Sequence, residues 1–225
     1  ALAALLAKAQ AMNPEMYTDE SYETLAVSMA QATTVLAGTL SAQADVDAAQ
    51  QALQAAIDQL VISDAAGYKT EDFTFSGTTV TGFSPSGQEK RTINKHLVLP
   101  EQNPEGEAIT AIGSDAFAMK DNEVFWGTDL VESPNGLWSV VIPDTVKRIE
   151  NRAFRLNALT EIQFPQGLEF IGMQAFNGNQ LTTLVLPDSV TELGAGVFSL
   201  NPLIRLTLSK GLTEIANGAF SRNIY

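Results

Sequence analysis

One spacing constrains this chain more than any other feature. Phe154, Phe176, Phe198 and Phe220 stand 22 residues apart, and further apolar columns keep the same step: Leu137, Leu159, Leu181 and Leu203, then Val140, Ile162, Leu184 and Leu206, then Ile142, Phe164, Leu186 and Leu208. Val146, Leu168, Val190 and Leu212, with Ile149, Ile171, Leu193 and Ile215, carry the period into a second apolar segment of each unit. A unit this short cannot enclose a core of its own, so it buries its apolar columns against stacked copies of itself. Within the segment LxxLxL, closed by Pro143, Pro165 or Pro187, alternation along a strand points the leucine columns inward and the residues between them outward. The spacing therefore predicts that segments 137–142, 159–164, 181–186 and 203–208 lie side by side in one parallel sheet.

Written in full, the unit LxxLxLPxxVxxIGxxAF resembles the BspA-like leucine-rich repeats of bacterial surface proteins, and the resemblance covers about two thirds of the chain. It implies a right-handed solenoid of about five 22-residue coils. It also implies a secreted or cell-surface location and a non-enzymatic role in adhesion or protein binding. Such a fold hosts sites without dictating them, so the ligand does not follow from it.

Residues 1–65 have a different texture, rich in Ala, Gln and Leu. Leu2, Leu5, Leu6, Ala9 and Met12 form one apolar stripe. Tyr22, Leu25, Met29, Ala32 and Leu36 form a second behind a Thr18 N-cap, and Val46, Ala49, Leu53, Ala56, Ile57 and Leu60 a third, starting near Ser41. Three amphipathic helices with short connections predict an antiparallel bundle. Tyr17-Thr18, Ser21-Tyr22 and Asp45-Val46-Asp47, with Leu53, Ala56, Ile57 and Leu60 behind them, resemble the FIVAR module of extracellular bacterial proteins. Spacer and ligand-binding roles both stay open for it. The fold class expected is thus α+β and multidomain: a helical bundle over 1–65, then a β-rich leucine-rich repeat solenoid over 66–225. The stretch from Phe73 to Phe83 alternates around Gly77 as a β-hairpin would, and it is expected to cap the open first coil.

Two insertions interrupt the repeat. Six extra residues fall in the acidic stretch 101–107, and nineteen residues (118–136) separate Phe117 from Leu137 where four separate Phe154 from Leu159. The longer insertion carries Phe125, Trp126, Leu130 and Val131, which either project on a binding face or fold back over the first coil. The chain begins without methionine, and a further unit would start at Tyr225. The start is that of an excised mature segment, and the natural protein is expected to continue past Tyr225, leaving Leu203, Leu206, Leu208 or Phe220 as an apolar edge.

Charge and composition exclude several chemistries. Thirteen basic against 26 acidic residues give a net charge of −13, the wrong sign for phosphate recognition, so no nucleic-acid partner is expected. No apolar run is long enough for membrane insertion within this segment, and the absence of cysteine removes disulfides and thiolate metal sites. The single histidine, His96, lacks a nucleophile motif beside it. Asp121, Glu123, Asp129 and Glu132 lack the ordered ligand spacing of a calcium loop. Lys147, Arg148, Arg152 and Arg155 are expected to pair with neighbouring glutamates. Neither catalytic residues nor a cofactor or metal site are expected. What remains is the outward face. One column reads His96, Ser139, Glu161, Thr183 and Arg205, the next Val98, Val141, Gln163, Val185 and Thr207. With Trp126 these residues are the candidate contact for an extracellular protein or glycan, although valine also suits a strand for purely local reasons. A second function class stays open, an accessory region of a larger extracellular carbohydrate-acting enzyme.

Overall fold

A computed structural model describes residues 2–12, 14–38, 42–60, 67–120, 125–126, 131–132 and 136–223, with the backbone alone at 15, 125, 126, 131 and 132. The chain divides into two compact units, Ala1–Gly67 and Tyr68–Tyr225.

The first unit is helical. Helices α1 (Leu2–Gln10), α2 (Asp19–Ala37) and α3 (Gln43–Asp58) bury Leu2, Leu6 and Ala9, Leu25 and Ala32, and Ala49, Leu53 and Ala56 against one another. Alanine at the contacts lets the helix axes approach closely, and the leucines fill the space between them. On α2 the inward stripe ends at Val35, while Leu36 points to solvent, one position off the expected pattern. Thr18 stands at the N-cap but does not cap with its side chain. Its hydroxyl donates to Ser21 Oγ at 2.9 Å, and Ser21 donates back to Thr18 O at 3.1 Å. Ala42 is the N-cap of α3, with Asp45 accepting from its N–H at 3.2 Å; Ser41 lies outside the described residues.

The second unit opens on an antiparallel hairpin, β1 (Phe73–Ser76) and β2 (Thr79–Phe83), followed by helix α4 (Pro85–Ile93). Sequence periodicity gave no sign of α4, because its residues are almost all polar. Its start is nevertheless written locally: Ser84 accepts from Gly87 N–H at 3.4 Å, and Pro85 at the first helical position has no N–H to orphan. Gly87 is required here, since a Cβ would stand 2.0 Å from Asp72 O.

Beyond α4 come β3 (His96–Val98), β4 (Ala111–Ile112), β5 (Phe125–Trp126), β6 (Val131–Glu132), β7 (Ser139–Val141), β8 (Arg148–Ile149), β9 (Phe170–Ile171), β10 (Thr183–Val185), β11 (Glu192–Leu193) and β12 (Arg205–Thr207). The largest sheet runs β1-β2-β4-β8-β9-β11. Its parallel members are the short second segments of the repeat, and β2 joins them with Val80 opposite Ile112.

The expected single sheet of LxxLxL segments is corrected. These segments form two separate pairs, β3 with β7 and β10 with β12, and residues 159–164 between them take no strand assignment. That unit carries Phe164 where its neighbours carry Ile142, Leu186 and Leu208. The Phe164 ring stands edge-on to Phe176 at 5.5 Å and to Phe198 at 6.3 Å, filling space in two layers that the smaller side chains leave to their own. Register nonetheless continues through the gap, with Ala158 N–H donating to Leu137 O at 2.9 Å and Thr160 N–H to Trp138 O at 3.3 Å.

The core is a column of aromatic rings. Phe117, Phe154, Phe176, Phe198 and Phe220 stack in turn at centroid separations of 5.4, 5.3, 5.6 and 5.8 Å. Phe83 packs edge-on against Phe117 at 4.9 Å and carries Tyr68 and Phe73 beside it. Parallel to the rings runs a row of asparagines, Asn157, Asn179, Asn201 and Asn223, at the same 22-residue step. Asn179 Oδ1 accepts from Leu159 N–H at 3.1 Å, and its Nδ2 donates to Phe154 O and Phe176 O at 3.0 and 3.1 Å. Asn157 and Asn201 repeat this arrangement one layer away on each side. These amides satisfy backbone groups that a turn sealed from water would leave unpaired. Gly194 marks how closely the layers approach, because a Cβ there would stand 2.1 Å from Met173 N.

Candidate functional site

The outward residues of β3, β7, β10 and β12 share one face. Parallel pairing sets His96 beside Ser139, Val98 beside Val141, Thr183 beside Arg205 and Val185 beside Thr207. Glu161 and Gln163, on the backbone that bridges the two pairs, are exposed as well. Inward neighbours Leu97, Val140 and Leu184 are buried, so the alternation of the pleat decides which side chains reach solvent. Val98, Val141 and Val185 are 43, 57 and 58% exposed, much of their apolar surface being left in water. His96 and Ser139 are half-buried, and His96 Nδ1 and Ser139 Oγ share a hydrogen bond of 2.8 Å.

Trp126, expected to join this group, is described through its backbone alone. Its backbone lies in β5, which pairs antiparallel with β6 across the long insertion, and its side chain lies outside the described residues. Among the described side chains the face carries the chain's other tryptophan. Trp138 is 42% exposed, and its indole meets the His96 ring edge-on at 5.8 Å. Its backbone is pinned on both sides, its N–H donating to Lys95 O at 2.9 Å and its carbonyl accepting from Thr160 N–H at 3.3 Å. The signal for Trp138 was in the repeat. The gap in LxxL holds two residues, and both reach the surface, so a third outward column reads Lys95, Trp138, Thr160, Thr182 and Ile204.

Across the three columns the formal charges are Lys95, Glu161 and Arg205, in a chain of net charge −13. The face is thus close to neutral on an acidic molecule. Burial, with Arg91 adding to it, pulls the Lys95 ammonium below its usual range.

The basic group sits elsewhere and finds mixed partners. Arg148 pairs with Glu150 at 2.9 Å and lies 4.1 Å above the Phe170 ring. Arg152 takes an aspartate in place of the expected glutamate, gripping Asp115 with two hydrogen bonds of 2.7 and 2.9 Å. The hydrogen bonds from Arg152 hold the Asp115 carboxyl below its ordinary range. Among the described residues no group of three or more potential ligands could hold a metal ion, and Asp121, Glu123 and Asp129 of the insertion lie outside them, as does the Glu132 side chain. No helix among the described residues is long and apolar enough to cross a membrane. At the far end of the stack Leu206 and Leu208 are exposed, and Leu203 and Phe220 are half-buried.

Residues 132–224 match the family model of the BspA type leucine rich repeat region, in six copies. Two solved structures share similarity with the chain. A leucine-rich repeat protein from Bacteroides capillosus ATCC 29799 is 18% identical with a TM-score of 0.40, the match covering 65% of this chain and 98% of that one. A leucine-rich repeat protein from Bacteroides ovatus ATCC 8483 is 21% identical with a TM-score of 0.43, the match covering 67% of this chain and 43% of that one. No curated protein matches the chain significantly.

Proposed function

We propose that this chain is a non-enzymatic interaction and adhesion module of a bacterial extracellular or cell-surface protein, and that the outward face of β3, β7, β10 and β12 is its contact surface. The observation that carries the reading is the pattern of exposure. A core closed by stacked rings and paired amides presents a row of exposed valines, hydroxyls and one indole on one side. An apolar row of this kind on an acidic chain is a feature of interaction surfaces. The BspA-type repeat match over residues 132–224 supports the same reading and the location that goes with it. In this reading the second unit is a right-handed solenoid of about five 22-residue coils with the hairpin β1–β2 as its cap. The helical unit is a FIVAR-like spacer.

The test is a binding screen of the chain against extracellular matrix proteins and glycans, repeated with Val141→Lys and Val185→Lys. Both positions are solvent-exposed, so the variants retain the parent's thermal transition. Capture that is lost in the lysine variants supports the contact surface. Capture unchanged in both removes it.

A further inference from the structure

The geometry points to a neutral polysaccharide as the occupant of this face, with the Trp138 indole stacked against one sugar ring. The proposal rests on the contact surface described above and names its ligand class.

Three features carry it. The first is an exposed aromatic platform supported on one side by a neighbouring ring. Trp138 is fixed through its backbone on both sides and through the edge of His96, and His96 is itself held by Ser139 at 2.8 Å. Ordering a free indole would offset part of the binding energy, and the His96 contact reduces that cost. The apolar C–H face of a pyranose matches the electron-rich face of an indole in both polarity and shape.

The second feature is the polar character of the outward columns. Ser139, Thr160, Thr183, Glu161 and Gln163 bring hydroxyl, carboxylate and amide groups to the surface, the donors and acceptors that sugar hydroxyls pair with. Within each of the pairs β3–β7 and β10–β12 the strands stand about 4.8 Å apart, close to the length of one pyranose ring. A polymer running along the stack therefore meets an outward row at each sugar.

The third feature is charge. The face carries Lys95, Glu161 and Arg205, while the chain as a whole carries −13. A polyanion approaching this molecule is repelled at long range by the net charge, and on arrival it finds the bases Lys95 and Arg205 set against Glu161. An uncharged glycan meets no such barrier. A face of outward strand residues suits a long polymer lying across it better than a small molecule needing enclosure.

The chain has two tryptophans, so Trp126→Phe leaves Trp138 as the only indole for the emission reading, while the unaltered chain, which keeps the candidate contact Trp126, is the parent protein. Its migration is followed in native gels cast with galactomannan, mixed-linkage glucan, arabinoxylan or mannan, and in gels cast with polygalacturonate or hyaluronan. Retardation by at least one neutral polymer is expected, together with a change in Trp138 emission in solution. In the same background Trp138→Ala should weaken retardation by about tenfold, and Trp138→Phe by less. Circular dichroism melts confirm that each variant is folded. Three results overturn the proposal: no retardation by any neutral polymer, retardation only by the polyanions, or retardation that ignores Trp138→Ala. A protein captured in the screen, lost with Val141→Lys and indifferent to Trp138→Ala, also overturns it while leaving the contact surface standing.

Discussion

Asn179→Ala tests whether the buried amides hold the layers together. Asn179 makes three hydrogen bonds, accepting from Leu159 N–H at 3.1 Å and donating to Phe154 O at 3.0 Å and Phe176 O at 3.1 Å. Their loss is unequal. Phe154 O still receives Asn157 Nδ2 at 3.1 Å, and Phe176 O still receives Asn201 Nδ2 at 2.9 Å. Leu159 N–H keeps no other backbone or side-chain acceptor among the described hydrogen bonds, and Leu159 is fully buried. A stranded buried donor costs about 1–3 kcal/mol and each lost neutral bond about 1 kcal/mol net, partly overlapping, so a loss of about 2–4 kcal/mol follows. Both tryptophans lie in the unit Tyr68–Tyr225 and Tyr17 and Tyr22 in the other, so tryptophan emission excited selectively over tyrosine reports this unit during urea unfolding. A companion variant, Asn179→Asp, keeps the acceptor and aims a carboxylate at two carbonyls. Its folded pKa should rise above the unfolded value, so it is more damaging than alanine at neutral pH and recovers as pH falls and the protonated carboxyl donates again. A loss below about 0.5 kcal/mol for the alanine variant, the scale of an ordinary surface change, refutes the argument.

Other substitutions probe the remaining supports. Phe176→Ala empties a fully buried ring between Phe154 and Phe198 and should cost about 3–5 kcal/mol in the same urea assay. Gly194→Ala forces a Cβ to 2.1 Å from the rigid backbone at Met173, and a loss of about 1–3 kcal/mol is expected, read as a lower thermal midpoint. Burial alone would raise the Asp72 carboxyl, but hydrogen bonds from Lys90 Nζ at 2.6 Å, Lys69 N–H at 2.8 Å and Ser86 Oγ at 2.8 Å hold it below its ordinary value. A depressed carboxyl stabilises fully above its unfolded pKa of about 4, and that contribution is lost as pH falls through the folded value. Acid titration of the folded chain should therefore show a steeper loss below about pH 4 than Asp72→Asn does.

The apolar columns were legible because burial at a fixed period leaves a direct trace in the letters. Phe154, Phe176 and Phe198, Leu137, Leu159 and Leu181, and Val146, Leu168 and Val190 are all buried in the structure. The asparagine row has the same 22-residue period, but a polar residue every turn reads as loop until hydrogen-bond demand is counted. Strand assignment failed for a different reason. The main ladder runs through two-residue strands such as Arg148–Ile149 and Phe170–Ile171, too short to produce an alternating pattern. Helix α4 has almost no apolar face to betray it, and its Ser-Pro start was the local clue. At the candidate site, the exposure of the outward residues followed from the pleat, whereas strand pairing did not extend through residues 159–164. Trp138 escaped because a strict two-residue alternation assigns only one of the two positions in the LxxL gap to the surface, and the backbone turns a corner there.

Asn157 closes over the long insertion. Its Nδ2 donates to Phe117 O at 2.8 Å, 40 residues back, whereas Asn179 and Asn201 make the equivalent contact 25 residues back. What seals a layer is therefore which carbonyl the amide grips, irrespective of the contour length of chain that departs and returns in between. Lineages of such arrays have two independent ways to change: whole units can be duplicated or lost in steps that keep every amide opposite its carbonyl, and a single turn can swell outward without shifting any layer beneath it. The first alters reach, the second alters only what the surface displays, and neither needs the buried rings to be redesigned.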